Sequence, residues 1–287
     1  MNPELQATIE QELGVSFRAL RPVSGGSIAQ TFRVELEDGG SIFVKYGSDL
    51  TGSFPKEARG LQEMAKVAPF LVPQVLFVNE HCLVLPWVES APRRPSYLED
   101  LGRAVGHLHS LKSESYGFFE DNFLGASPQP NAPQHQSLEW HEFYWEYRLG
   151  FQLELAEKNG YATSQLRKLM VQLESRLFSL LYPTKQPSLL HGDLWSGNVI
   201  VDDEGYPCLI DPAVYYGHPE AEFGMTTLFG GFGPRFYGAY LEINRSMDTD
   251  YKERVGLYQL YHVLNHLNLF GGRGYYNDAI SLLKQYV

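Results

Sequence analysis

The chain is poor in cysteine: only Cys82 and Cys208 occur in 287 residues. Two thiols make neither a disulfide framework nor a cysteine-rich metal site, and each lies in a short apolar, strand-like run where a buried thiol is expected. No run approaches the ~18 consecutive apolar residues of a membrane span. The start, Met1-Asn2-Pro3-Glu4, lacks the basic region and apolar stretch of a signal peptide. No membrane partner and a cytoplasmic, reducing setting are therefore expected. Basic residues are also scarce: 23 Lys and Arg stand against 34 Asp and Glu, a net charge of −11 that repels polyanions and argues against a nucleic-acid partner. There is no G-x-x-x-x-G-K-[ST], which excludes a P-loop, and the small-residue turn at 24–28 has no helix pattern after it, which excludes a Rossmann turn. What the chain does have is apolar mass. A hydrophobic fraction of 44% with 14% aromatics supports a substantial core. Its length allows one large domain or two lobes.

The most informative stretch is His191-Gly192-Asp193-Leu194-Trp195-Ser196-Gly197-Asn198, followed later by Leu209-Ile210-Asp211-Pro212. Asp193 offers a carboxylate that can take a hydroxyl proton. Asn198 offers a carboxamide, and Asp211 a second carboxylate, to one cation. Phosphoryl transfer from Mg-ATP to an alcohol needs that set, because positioning and charge neutralisation dominate this chemistry. The chain must loop back between Asp193 and Asn198, and Gly197 is expected to supply a positive φ there. Val199-Ile200-Val201 and Cys208-Leu209-Ile210 flank an acidic, Gly-containing turn and read as a hairpin returning Asp211 beside Asn198.

Upstream, residues 2–13 read as an amphipathic helix ending near Gly14. Strand, small-residue turn and strand follow, with Gly25, Gly26 and Ser27 at the turn. Backbone N–H groups of such a turn can approach phosphate oxygens. Ser41-Ile42-Phe43-Val44-Lys45-Tyr46 alternates as a strand and ends in a lysine able to reach the α/β-phosphates. Pro55 suits a helix first turn. Glu57, just inside that helix, is the candidate to orient Lys45, with Glu63 as runner-up. A second hairpin, 75–85, runs into Pro86-Trp87-Val88-Glu89, expected as the hinge between lobes. There the Pro86 carbonyl could accept from the adenine amine while the Val88 N–H donates to a ring nitrogen. Trp87 is not assigned to the ligand.

The remainder reads as mostly helical. Leu98, Leu101, Val105, Leu108 and Leu111 keep helical spacing over 97–111. His107 and His109 in this helix lack partners at ligand spacing and read as surface or core-edge residues. Asp121 to Gln136 is rich in Pro, Asn, Gln and Ser and is expected to be a long loop. The aromatic stretch 138–149 reads chiefly as core packing, with one wall of the acceptor pocket as the alternative. Residues 163–181 read as one helix and 257–270 as a buried helix. Gly230-Gly231-Phe232-Gly233 reads as a turn, with no strand and helix around it for phosphates. After Asp211 there is no A-P-E and no long activation segment. Gly192 stands where regulated protein kinases carry an arginine, which argues against control by loop phosphorylation. The fold expected is α+β and bilobal: residues 1–88 as a small antiparallel-sheet lobe with one key helix, and 89–287 as a larger helical lobe.

His191-Gly192-Asp193-Leu194-Trp195-Ser196-Gly197-Asn198, Ile210-Asp211-Pro212-Ala213, Tyr216-Gly217-His218 with Glu220-Ala221-Glu222, and the aromatic run from Leu257 to Phe270 closely resemble the fructosamine-3-kinase and ketosamine kinase family. Ser24-Gly25-Gly26-Ser27-Ile28 and Phe43-Val44-Lys45 resemble it as well. The likeness covers nearly the whole chain; His-Gly-Asp-Leu alone would indicate only the broader aminoglycoside phosphotransferase and choline kinase group. The resemblance implies a protein-kinase-like fold and ATP-dependent phosphorylation of a ketosamine at its 3-hydroxyl, which promotes deglycation. The acceptor would be a small ketosamine or a glycated protein amine. By the same resemblance Asp193 acts as base or acceptor-orienting group, Asn198 and Asp211 bind Mg²⁺, Lys45 binds ATP phosphates with Glu57 in support, and Trp195 stacks on the acceptor. Pro86 departs from the acidic residue expected at the hinge. Other readings are a kinase for an aminoglycoside, choline or homoserine, a non-catalytic nucleotide-binding pseudokinase, and a metal-dependent hydrolase built on His191 and Asp193.

Overall fold

A computed structural model describes residues 1–23, 29–47, 52–68, 71–131, 138–181, 186–245, 247 and 250–287. The first elements are α1 (Pro3–Leu13), β1 (Phe17–Pro22), β2 (Gln30–Leu36), β3 (Ser41–Tyr46), α2 (Ser53–Ala65), β4 (Phe77–Val78), β5 (Cys82–Pro86) and α3 (Tyr97–Leu108). Next come β6 (Asn122–Leu124), β7 (Ser127–Gln129), α4 (Trp140–Tyr144), a π-helical turn (Trp145–Leu149), α5 (Gly150–Lys158), α6 (Ser164–Glu174), α7 (Leu177–Leu181) and β8 (Ser188–Leu190). The chain finishes with β9 (Val199–Val201), β10 (Pro207–Leu209), β11 (Tyr215–Gly217), α8 (Ala221–Leu228), α9 (Pro234–Ile243), α10 (Tyr251–Phe270) and α11 (Arg273–Leu283).

These elements form two compact units, Met1–Tyr97 with Val199–Pro212, and Leu98–Asn198 with Ala213–Val287. In the first, β1 to β5 make one antiparallel sheet in the order β1-β2-β3-β5-β4. Strand alternation sends Val34, Ile42, Val44 and Val84 into a core with Ile9 of α1. α1 is started by the Asn2 side chain, which accepts from the Leu5 N–H at 2.8 Å. The opposite parity of β3 carries Lys45, in register with Thr31 on β2 and Leu83 on β5. Residues 199–212 count with this unit rather than with the helical part because backbone bonds tie them here. Leu209 N–H donates to Leu71 O at 2.6 Å, Ala91 N–H to Asp202 O at 3.0 Å and Arg94 N–H to Gly205 O at 3.3 Å.

The second unit packs helices around α10. That helix buries Leu257, Tyr258, Leu260, Tyr261, Val263, Leu264 and Leu267, together with the polar His262 and Asn265, so through its middle it is enclosed on several sides, as a central helix must be. Trp140, Phe143 and Tyr144 join its core, so the aromatic stretch before it is packing. Three features depart from expectation. Within the supposed loop, residues 122–129 form the hairpin β6–β7; Gln136 and its neighbours from 132 to 137 lie outside the described residues. The hairpin escapes a hydropathy reading because its inward side chains are polar. Asn122 Nδ2 donates to Val214 O at 2.8 Å, and Gln129 Nε2 to Ala213 O at 3.0 Å. The helix expected over 163–181 is broken between α6 and α7. And β11 pairs with β8, Tyr215 opposite Leu190, in strands too short to show a period. Among the described residues no helix is long and apolar enough to cross a membrane.

Both cysteines are buried, in β5 and β10. Burial pushes the Cys82 thiol up to about 11 and the Cys208 thiol up to about 12. At pH 8 neither is a thiolate, so neither is nucleophilic. We expect no reaction of the native protein with Ellman's reagent, and two thiols after guanidinium unfolding. A thiol titrating rapidly in the native protein would contradict this burial.

Candidate active site

In the first unit Lys45 holds two carboxylates. Its Nζ lies 2.8 Å from Glu57 Oε2 and 3.0 Å from Asp211 Oδ1. Glu57 comes from α2, while Asp211 follows β10. Burial alone would pull the ammonium toward its neutral form, but the Glu57 and Asp211 carboxylates outweigh it and hold the Lys45 pKa above its ordinary value. Glu57 is pushed up to about 7 by burial, with Lys45 pulling down and Asp211 adding repulsion. Two carboxylates thus share one cation, an arrangement that a further positive charge near Asp211 would relieve. Glu63 is occupied elsewhere, with Lys66 at 2.6 Å. Asp211 has φ 53, and among the described residues it alone is non-glycine with a positive φ. Aspartate tolerates this left-handed region at a cost of about 1 kcal/mol or more, a strain typical of functional positions.

Pro86 ends β5, and the next residue, Trp87, donates its N–H to Ser41 O at 3.2 Å. The Arg33 guanidinium lies 4.7 Å above the Trp87 ring and pairs with Glu89, so the Trp87 side chain is engaged within the protein. Val88 follows directly. Gly25, Gly26 and Ser27 lie outside the described residues.

In the second unit the loop after β8 brings Asp193 and Asn198 together. Asn198 Nδ2 donates to Asp193 O at 2.9 Å and to Asp193 Oδ2 at 3.0 Å. The carboxamide thereby orients the carboxylate. The positive φ of this loop is at Gly192, φ 82, and not at Gly197 as the sequence suggested. A Cβ on Gly192 would also lie 2.1 Å from Ala213 O. Gly197 is needed for space: a Cβ there would fall 2.2 Å from the Trp195 indole, which lies across it. Phe229 also neighbours that indole, ring centroids 5.8 Å apart and edge-on.

The groups that hold this loop went unassigned in the sequence. Glu222 on α8 is fully buried and accepts from His191 N–H at 2.6 Å and Gly192 N–H at 3.1 Å. His109 Nε2 approaches Glu222 at 3.4 Å, and His109 Nδ1 lies 2.8 Å from the Tyr240 hydroxyl. His109 is therefore a core residue, while His107 is exposed. Ala213 N–H donates to His191 O at 2.9 Å, and Ala213 O accepts from Gln129, whose Oε1 accepts from the Tyr261 hydroxyl at 2.8 Å. A legible signal existed at one of these positions: a glutamate inside the apolar run of α8 is out of place unless it is paired. Gln129 carried none. The glycines after α8, read as a turn, do link α8 to α9, but Gly231 also abuts the Ser196 side chain, its ideal Cβ 2.8 Å from Ser196 Cβ.

The structure thus gathers Lys45, Glu57 and Asp211 in one unit, and Asp193, Asn198 and Trp195 in one loop of the other. The sequence model of the fructosamine kinase family matches residues 1–287. A chloroplastic protein-ribulosamine 3-kinase of Oryza sativa subsp. indica is 36% identical, the alignment covering 100% of this chain and 84% of that protein. The corresponding Arabidopsis thaliana protein is 37% identical over 92% and 81% of the two chains. A solved Thermobifida fusca structure described as a fructosamine-3-kinase is 31% identical, covers 100% of this chain and 99% of its own, and superposes with a TM-score of 0.89. The aminoglycoside phosphotransferase APH(2'')-Ib, at 14% identity, coverage of 99% and 98% and a TM-score of 0.67, shares the fold alone, which is protein-kinase-like.

Glu222 gives a test of the loop's anchoring. Burial raises its pKa, but His109 and the His191 backbone outweigh that and hold it below the ordinary 4.5. A depressed folded pKa contributes stability that is present above the unfolded value and lost as pH falls through the folded one. Glu222→Gln is expected to cost about 2 kcal/mol near pH 7, the scale of hydrogen bonds to a charged group. Urea titrations should show that gap steady above about pH 5 and narrowing in acid. A gap that widened in acid would contradict this role.

Proposed function

The chain belongs to the fructosamine kinase family, and from that we propose that it transfers the γ-phosphoryl group of ATP to the 3-hydroxyl of a ketosamine, a ketose carried on an amine. The observation that carries the reading is the pair of preformed sets, one cation between two carboxylates and one carboxylate steered by a carboxamide. The ribulosamine kinase names of the plant relatives support the acceptor class. Phosphorylation at O3 makes the adduct prone to eliminate phosphate and free the amine, so deglycation is the consequence.

In this scheme Asp193 hydrogen-bonds the acceptor hydroxyl and takes its proton as the O3–P bond forms and the bond from phosphorus to the β-phosphate oxygen breaks. Asn198 keeps Asp193 in the receiving orientation. Lys45, held charged by Glu57, meets the ATP phosphates. The backbone at Pro86 and Val88 receives adenine, and Gly25, Gly26 and Ser27 are assigned to the phosphates from the sequence. Asn198 Oδ1 and the half-exposed Asp211 carboxylate are hard oxygen donors that suit Mg²⁺. When bound, that ion neutralises the phosphate oxygens. Trp195 is assigned to the carbon face of the sugar.

Incubation with Mg-ATP and a panel of ribulose-lysine, erythrulose-lysine, fructose-lysine, choline, homoserine and kanamycin tests this, with ADP release as readout. We expect turnover with at least one ketosamine and none with the other alcohols. Turnover of kanamycin or choline alone would overturn the acceptor class. Asp193→Asn should lower kcat by at least about 10³-fold while ATP still binds, as expected when an acid–base group of this weight is lost. Lys45→Met should lower kcat/KM for ATP by about 10²-fold, consistent with losing one charged phosphate contact. Near-normal values in either variant would remove that residue from the mechanism.

A further inference from the structure

Beside the Asp193 loop lies a strip of rings that core packing leaves partly open. Trp195 meets Phe229 edge-on at 5.8 Å, and Phe229 meets His266 edge-on at 5.6 Å. His266 then stacks with Phe270 at 5.8 Å and with Tyr275 at 5.3 Å. Phe229 caps α8, His266 and Phe270 lie one turn apart on α10, and Tyr275 comes from α11. Although linked ring to ring, Phe229 is 50% exposed and Phe270 57%. Two exposed rings joined through the ring of His266 make one continuous aromatic strip, the kind of surface that can receive an apolar ligand group. The chain also fixes the inner end of the strip. Gly230 and Gly231 have φ 72 and φ 95, and Gly231 packs against Ser196, so the segment after Phe229 is drawn onto the Asp193 loop.

Substrate chemistry says what the strip would meet. In a ketosamine the reacting O3 is followed by C3, C2 and C1 and then the nitrogen, a span of about 4–5 Å at ordinary bond lengths. With O3 at Asp193 and the sugar carbons on Trp195, a substituent that continues outward meets Phe229 next, its ring centroid 5.8 Å from that of Trp195. The ketosamine nitrogen is a protonated amine at neutral pH, and ring faces attract cations. Burial holds His266 below its ordinary pKa, so the ring between the two phenylalanines is neutral and does not repel that charge.

We propose that Phe229 and Phe270, continuing outward from Trp195 past His266, form the subsite for the substituent on the ketosamine nitrogen, and that it selects an apolar stem over a short acidic one. The assignment rests on the ketosamine kinase reading. An alkyl stem such as that of a lysine side chain buries its methylenes on the two rings. A glycine adduct puts a carboxylate there, with no apolar area to cover.

The test compares N-hexyl-ribulosamine with ribulose-glycine in the full-length protein and in Phe229→Ala, Phe270→Ala and the double variant. The wild-type protein should favour the hexyl adduct at least tenfold in kcat/KM. The double variant should lose at least fivefold of that ratio through KM, with either single variant between. Both side chains are largely exposed, and thermal melting checks that the variants are folded. A ratio unchanged within twofold, or a wild-type preference for the glycine adduct, would overturn the subsite and leave the kinase reading standing. Failure of the wild-type protein to phosphorylate any ketosamine would overturn both.

Discussion

One buried ammonium between two carboxylates organises the first unit. Lys45 can stay charged at its position only because Glu57 and Asp211 meet it at 2.8 and 3.0 Å. Three separate segments must converge to do this: β3, α2 and the chain just past β10. The strand alternation that buries Val44 puts Lys45 on the opposite face, and the hairpin β9–β10 brings Asp211 to it. The left-handed backbone of Asp211 is the strained point of that convergence. Removing one carboxylate would leave a buried pair, and removing Lys45 would leave two like charges facing each other, which is costly in a desolvated setting. Two carboxylates against one ammonium leave an excess of negative charge at this point, which a cation beside Asp211 would offset.

The second unit solves a different problem, holding a loop still without a regulated segment. The backbone N–H groups of His191 and Gly192 close on the Glu222 carboxylate, and Ala213 closes on His191 O. Gln129, itself held by Tyr261, closes on Ala213. Glu222 lies on α8, Gln129 on β7 and Tyr261 on α10, so several elements would have to shift together for the loop to move. No phosphate-binding arginine precedes Asp193, and this network makes one unnecessary: the loop's supports are already buried and paired.

Much of the candidate site was legible because its residues lie in short contiguous patterns. Asp193 and Asn198 sit in one short motif, and Lys45 ends an alternating strand. Glu57 was preferred over Glu63 on helical position, and the pairing of Glu63 with Lys66 agrees. The supports were illegible for physical reasons. Gln129 and Asn122 are polar residues that point inward on three-residue strands, so they look like loop. Gly197 was credited with conformational freedom when its role is to leave room beneath the Trp195 ring, a contact no local pattern reveals. Gly231 resembled a bare turn because Ser196, its neighbour in space, is distant in sequence. Long-range contacts of single atoms leave no periodic trace.

The claim beneath all of this is that the acceptor is the O3 hydroxyl of a ketosamine, presented to Asp193. The most direct measurement is a proton–phosphorus correlation spectrum of the product made from ATP and a ribulosamine. Transfer as described places the new phosphorus in coupling with the proton on C3. Coupling to a proton on any other carbon, or release of inorganic phosphate with the ribulosamine recovered intact, would contradict it.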